Sequence, residues 1–227
     1  MKHEEPGPGD RSDLEPTLEP EPTAAAEVLA GGRLDVLRAF AADLAERGEE
    51  LGLIGPIELP RLWTRHLLNS AVLAPLLREG GSLADIGTGG GMPGLVLGIV
   101  RPDVEVFLVE PMERRCAWLS EQIERLGLEN TVVKRGRAEE FHGAFEVDQV
   151  TARAVTALKK LVPLTAPLVR GGGEMLFLKG AAIHTEIEAA RKVLARHRVR
   201  DVEVLELGDE LLSESTRVFR ARVGDHG

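Results

Sequence analysis

The residues with the most pointed chemistry lie between Ala84 and Gly94, ADIGTGGGMPG, where four glycines fall within five positions (Gly87, Gly89, Gly90 and Gly91) and an aspartate precedes them. Glycines strip side chains from a turn, so backbone amides approach a ligand closely and the chain can take positive φ. The apolar run Ser82 to Ile86 leads in and Pro93 opens a helix. The turn therefore sits at the carboxyl end of a strand, where open α/β sheets bind ligands. A P-loop needs Gly-Lys-Ser/Thr at the helix start; the sequence has Gly91-Met92-Pro93-Gly94 and excludes one. Gly89 to Gly94 does match the GxGxxG of dinucleotide sites, which leaves NAD open. Asp85, two residues before Gly87, tilts the reading toward S-adenosylmethionine, because a carboxylate there attracts an ammonium and repels a pyrophosphate. Glu110 ends the next apolar run, 23 residues after Gly87, where a carboxylate can accept hydrogen bonds from both ribose hydroxyls of either cofactor.

Elsewhere the chemistry is sparser. His66, His142, His184 and His197 are scattered without metal-ligand spacing, so each is expected to be structural and no metal site is expected. The lone Cys116 falls in a helical pattern and reads as a core thiol of a chain in a reducing cytosol. Net charge is −9, and residues 1 to 22, with seven acids and two bases, carry −5 of it. The body is thus mildly acidic as well, so any nucleic-acid site must be a local basic patch. Candidate patches are Arg114-Arg115, Lys134-Arg135 with Arg137, Lys159-Lys160 and Arg191 to Arg200. No apolar stretch is long enough to span a bilayer and no signal peptide is evident, so a soluble cytoplasmic protein with no membrane partner is expected.

Three segments must position these groups. Residues 1–22, rich in Pro and Glu, read as a disordered acidic tail. Residues 23–79 read as an N-terminal helical cap: apolar positions Ala30, Leu34, Leu37, Ala41 and Leu44 mark one helix, and Leu59, Leu62, Trp63, Leu67, Leu73 and Leu77 mark a second from Glu58 to Arg78. From residue 80 to 227, short apolar runs alternate with helices, the pattern of an α/β domain with a largely parallel sheet. Strands are expected at Ser82 to Ile86, Val104 to Val109, Thr131 to Lys134, Val147 to Thr151 and Met175 to Leu178. Helices fall between them at Gly94 to Val100, Glu113 to Leu126 and Leu158 to Val169, followed by one near Thr185 to His197. The adjacent runs Val199 to Glu206 and Thr216 to Val223 complete seven strands as a C-terminal antiparallel hairpin. Seven strands so arranged resemble the architecture shared by Rossmann-like class I methyltransferases, a fold analogy that does not itself establish chemistry.

Taken in order, Asp85 to Gly94, Arg65-His66-Leu67-Leu68-Asn69-Ser70, Arg137-Ala138-Glu139-Glu140, Thr151-Ala152-Arg153-Ala154-Val155 and Leu178-Lys179-Gly180 resemble the ribosomal small-subunit methyltransferase G family, also called glucose-inhibited division protein B. The resemblance spans roughly Leu34 to Lys192. It implies S-adenosylmethionine-dependent methylation of N7 of a guanosine, position 527 in the RNA's numbering, in the 530 loop of 16S ribosomal RNA. The partner is then the small ribosomal subunit, and the protein is expected to be a monomer. The cofactor contacts carried across are Gly87, Met92, Ala138, Glu139 and Arg153, joining Asp85, Gly89 and Glu110. Arg153 follows the fourth strand and can meet a carboxylate or a phosphate. Lys179, ending the fifth, is expected to reach an RNA phosphate with a flexible ammonium. Guanine N7 has a free lone pair, so no general base is needed and no catalytic side chain is assigned; positioning alone can supply about 7–11 kcal/mol. Two positions depart from the family pattern: Asn69, where Asp is usual, is expected to cap a helix, and Leu53-Ile54-Gly55-Pro56 replaces the usual Asn-Leu-Thr. Three rivals stay open at this point: a methyltransferase with another acceptor, an NAD-dependent oxidoreductase, and a non-catalytic ribosome-assembly factor.

Overall fold

The computed structural model describes residues 17–225. Its strands are β1 (Ser82–Ile86), β2 (Glu105–Glu110), β3 (Thr131–Arg135), β4 (Val147–Arg153), β5 (Val169–Lys179), β6 (Val199–Leu207) and β7 (Thr216–Val223). They form one seven-stranded sheet in the order β3-β2-β1-β4-β5-β7-β6. β1 to β5 pair in parallel, and β7 runs antiparallel to both of its neighbours. The expected Rossmann-like sheet with its C-terminal hairpin is what the chain builds. Strand order reverses between β1 and β4, the switch point at which such sheets leave a crevice for ligands.

Side chains of successive strand residues point to opposite faces, and both faces are packed. Leu83, Leu108, Leu176 and Leu178 join one apolar cluster; Ala84, Val109, Met175 and Phe177 join the other. Helices α4 (Gly94–Val100) and α5 (Glu113–Leu126) cover the first face, while α6 (Leu158–Thr165) and α7 (Ile183–Arg196) cover the second. Burial on both sides explains why β1 is buried at every position. The outer strand β6 instead carries Arg200, Asp201, Glu203 and Glu206 on a largely exposed surface, which blunts a sheet edge.

The N-terminal segment packs over α4 and α5, and its apolar residues belong to the first cluster. It starts with α1 (Thr23–Ala30), a helix the periodicity did not separate from α2 (Leu34–Arg47). The expected second helix, Glu58 to Arg78, is a series of short pieces. A 3-10 stretch (Pro56–Arg61) leads into a π-helix (Leu62–Leu68), a short α3 (Asn69–Ala71) and a further 3-10 turn (Ala74–Leu76). Pro60 and Pro75 lack the amide a continuous helix requires, and their rings obstruct the preceding turn. The apolar stripe survives because the π-helix turns Leu62, Trp63 and Leu67 into the core and the turn after α3 does the same with Leu73.

Two further expectations need correction. β5 begins at Val169, six residues earlier than Met175, and runs through Gly171, Gly172 and Gly173. Only glycine fits there: Gly172 has φ +78°, and a β-carbon on Gly173 would stand 2.5 Å from the Asp148 carbonyl oxygen. Most of the expected disordered tail, residues 1–16, lies outside the described residues, but its last part is anchored. Glu21 binds Arg38 through both carboxylate oxygens at 2.7 Å, and Glu19 binds the backbone and hydroxyl of Thr64 at 2.9 and 2.8 Å.

Candidate active site

The glycine turn leaves β1 as expected, with Gly87, Gly89 and Gly91 all at positive φ. Gly87 donates its amide to the Val109 carbonyl at 2.9 Å, stitching the turn to β2. A β-carbon on Gly94 would stand 2.5 Å from Leu108 and 2.6 Å from Cβ of Asp85, so this glycine lets α4 close onto the sheet. At Gly89 the nearest atom to such a carbon would be 3.9 Å away, which leaves space above the turn.

Two carboxylates organise the turn from below. Asp85 is fully buried, and its Oδ2 accepts the Gly94 amide at 2.7 Å. Its Oδ1 and the neighbouring Thr88 Oγ1 have no hydrogen-bond partner. Burial pushes the Asp85 carboxyl up to about 6, with the close Thr88 hydroxyl, then the Gly94 amide and the Arg153 charge, acting in the opposite direction. Glu110, 2% exposed, accepts the Gly89 amide at 3.1 Å and the Met112 amide at 2.9 Å, one on each oxygen. Arg115 stands 3.9 Å from it, with its Nε unpartnered. The Glu110 carbonyl also accepts Gly136 N–H at 3.1 Å, which brings the segment after β3 alongside. There Ala138 is buried and Glu139 exposed at the head of a 3-10 turn (Ala138–Phe141). Met92 turns inward, 5% exposed, into the first apolar cluster. Leu53, from the loop that departs from the family pattern, packs on Gly90.

Next to this turn, beyond the ends of β4 and β5, lies a cavity of about 670 Å³. Its lining includes Arg65 and His66 from the π-helix, Arg153 and Val155 after β4, and Lys179 and Glu186. π-turns recur at functional sites because they re-aim side chains that a regular helix would stagger. Arg153 makes one hydrogen bond among the described residues, from Nη1 to the Arg65 carbonyl at 3.3 Å, and has no carboxylate within ion-pair distance. Burial lowers its pKa, the Asp85 charge acting against this. His66 Nε2 lies 2.6 Å from Glu58, while its Nδ1 is buried and unpartnered. Burial and then the Arg153 charge lower the His66 pKa, so the ring is neutral near neutrality. The Asn69 side-chain amide donates to Thr216 Oγ1 at 2.5 Å, bridging α3 to β7, and does not cap a helix end.

Lys179 differs from expectation. Its side chain is 9% exposed, and its ammonium is already held by the Thr156 carbonyl at 2.9 Å and by Glu186 at 2.8 Å. The sequence marked Lys179 by its strand-end position; nothing marked Glu186, which comes from a helix on the other side of the loop. Thr88 and Val155 lie inside the quoted motifs and Arg115 in a candidate basic patch, but no sequence pattern assigns any of the three a role at the cofactor turn.

The family model described as "GidB: rRNA small subunit methyltransferase G" matches residues 33–215. The chain belongs to this family. The Ribosomal RNA small subunit methyltransferase G of Clavibacter michiganensis subsp. michiganensis is 57% identical over 91% of this chain and 97% of its own length. That of Leifsonia xyli subsp. xyli is 56% identical over 91% and 98%. Solved structures agree in fold: a SAM-dependent O-methyltransferase from Thermotoga maritima superposes with a TM-score of 0.56 at 19% identity, covering 70% of this chain and 66% of that one. An rRNA methylase from Streptococcus thermophilus gives 0.50 at 12% identity, covering 70% and 95%. Family membership makes the methyltransferase fold the right frame for the glycine turn and removes NAD oxidoreduction as a rival. The turn's residues fit the family's cofactor on structural grounds as well, since the buried Asp85 Oδ1 lacks a partner that an ammonium would supply.

Proposed function

We propose that the protein methylates N7 of a guanosine, position 527 in the 530 loop of 16S ribosomal RNA, using S-adenosylmethionine and acting on the small ribosomal subunit. The observation that carries this reading is the junction of a nucleoside-type turn, Gly87 to Gly91 with Glu110, and a cavity into which Arg153 turns a guanidinium free of any carboxylate. Pockets of about 300–1,000 Å³ are typical of small-ligand sites, so the cavity is of a size for a nucleotide turned out of its strand.

In this reading Asp85 and Thr88 receive the amino end of the cofactor, and Gly87 and Gly89 offer backbone groups. Glu110 receives the ribose, and Ala138 and Glu139 adjoin the adenine. Met92 backs the turn from within the core. When bound, the cofactor supplies an activated methyl group. The protein's task is then to hold the acceptor nitrogen in line and exclude water, which requires rigid walls more than a base. His66 held by Glu58 and Glu186 held by Lys179 suit that task as parts of the walls. Residues 23–79 would form one wall and residues 80–227 the floor and the other. No helix among the described residues is long and apolar enough to cross a membrane. We place the protein in the cytoplasm as a monomer.

Purified protein incubated with labelled S-adenosylmethionine and small subunits from cells lacking the modification should label 16S RNA, and mass mapping should find N7-methylguanosine in the 530 loop. A protein that binds the cofactor but leaves subunits unlabelled would sink the RNA reading; methylation elsewhere would move the acceptor.

A further inference from the structure

Lys179 and Glu186 line the cavity, and their contact fastens the chain segment that runs from the cavity toward the glycine turn. One carboxylate oxygen, Glu186 Oε2, receives the Lys179 ammonium at 2.8 Å and the backbone N–H of Leu158, the first residue of α6, at 2.9 Å. The same ammonium donates to the carbonyl of Thr156 at 2.9 Å. The segment between β4 and α6, residues 154–157, is therefore pinned at its far end by a largely buried junction. Its near end leaves β4 at Arg153.

What this segment does in the fold gives the junction a use. Ala154 sits at φ +54°, a left-handed conformation that a residue with a β-carbon adopts at a cost and keeps only under constraint. Val155 then lies over the cofactor turn, since a β-carbon on Gly87 would stand 3.0 Å from its Cγ2. Arg153, Ala154, Val155 and Thr156 also line the cavity. One short segment thus touches the glycine turn and forms part of the acceptor wall, and its geometry depends on Lys179 and Glu186.

We propose that Lys179 and Glu186 are a positioning pair that holds residues 154–157 where the cofactor turn and the acceptor cavity meet, and that Lys179 does not itself bind an RNA phosphate. This rests on the reading of the site given above. It differs from an RNA-contact role in the sign of one effect. Removing Glu186 would free the ammonium if Lys179 served RNA, and subunit affinity would rise. If the pair is a staple, removing Glu186 does the same harm as removing Lys179.

The test uses the full chain with Glu186→Ala, Glu186→Gln, Lys179→Met and the Glu186→Ala/Lys179→Met double variant. Each is assayed for kcat and KM on small subunits and for amide hydrogen exchange over residues 154–158 without cofactor or RNA. Glu186→Ala and Lys179→Met should each lower kcat about 10- to 100-fold, as expected when reacting groups are misplaced, with subunit KM little changed. The double variant should be no worse than either single one. Glu186→Gln keeps an acceptor for both donors and should recover most of the rate. Exchange protection should fall in both single variants and return in Glu186→Gln. If Glu186→Ala fails to fold, Lys179→Met and Glu186→Gln still carry the comparison. The proposal is overturned by unchanged exchange and kcat, or by a Glu186→Ala protein that binds subunits more tightly while Lys179→Met binds them more weakly in a salt-dependent way. Loss of protection in a protein whose wild type labels no subunits would uphold the pinning but overturn the acceptor reading, and with it the role proposed here.

Discussion

On the β1 to β3 side of the cleft the polar groups are backbone amides gathered by two buried carboxylates, Asp85 and Glu110; on the β4 to β5 side they are long side chains drawn from the π-helix, two strand ends and α7. The first half is made from contiguous chain and presents a fixed array. The second is assembled from residues as far apart as Arg65 and Arg217, and its members hold each other: Glu58 holds His66, Asn69 holds Thr216, Glu186 holds Lys179. The difference suits two ligands of unlike demands. A nucleoside cofactor is small and constant and can be met by amides, whereas a nucleotide within a large RNA calls for cationic groups.

If the division is real, damage to one half should stay there. The largest effect is expected at Glu110. Glu110→Ala leaves the part-buried amides of Gly89 and Met112 without this acceptor and removes the carboxylate proposed to receive the ribose, a combined loss of about 1–3 kcal/mol. Cofactor affinity measured by calorimetry should fall about 100-fold, which is about 2.7 kcal/mol, while subunit binding stays near wild type. An equal loss of subunit binding would break the comparison.

Arg153 stands on the border and should behave as a border residue. Arg153→Met removes a charge-assisted donor, a loss of about 1.5–3 kcal/mol in a desolvated site, so affinity for both cofactor and subunits should fall about tenfold or more. Arg153→Lys should restore little, because an ammonium cannot reproduce the planar guanidinium. An effect confined to subunits would move Arg153 wholly into the acceptor half.

Asp85 offers a sharper probe of the cofactor half through pH. Its carboxyl is pushed up to about 6 by burial, so between about pH 4 and 6 the folded chain holds a proton that the unfolded chain has lost. Stability of the cofactor-free protein should therefore fall as pH rises through that window. A cation at Oδ1 favours the ionised form, so cofactor affinity should move the other way, rising about tenfold from about pH 5 to 7 and levelling off above. Asp85→Asn should flatten both curves. Urea midpoints and calorimetry across this range would check them, and a wild-type affinity independent of pH would remove Asp85 from the amino end of the cofactor.

The same contrast governs how much could be read from the sequence. β1, α4, α5 and β7 fall on the residues expected because each is a clean apolar pattern bounded by Gly or Pro, and the glycine turn is legible since its chemistry is contiguous. The π-helix was not, because its apolar stripe imitates a continuous helix while Pro60 and Pro75 decide otherwise. Lys179 was legible as a strand end but not as a staple. Its partner Glu186 lies seven residues on, beyond a turn, and no local pattern reports a contact made by that return of the chain. Asn69 was read locally as a cap, and its actual partner, Thr216, is 147 residues away.

The smallest effect is expected from Glu19, in the stretch that composition alone reads as disordered tail. Its carboxylate accepts the Thr64 amide and hydroxyl at 2.9 and 2.8 Å, and its own amide donates to the Leu59 carbonyl at 3.1 Å. Thr64 lies in the first turn of the π-helix, where amides have no partner within the helix, so Glu19 acts as a cap supplied from a distant part of the chain. Losing a helix cap costs about 0.5–2 kcal/mol, and here only part of it would reach the cavity, through the aim of Arg65 and His66. Glu19→Ala should raise subunit KM about two- to threefold, under 1 kcal/mol, and leave cofactor affinity untouched. A change in cofactor affinity instead would mean that the N-terminal wall also shapes the glycine turn, for which Leu53 against Gly90 offers a direct path.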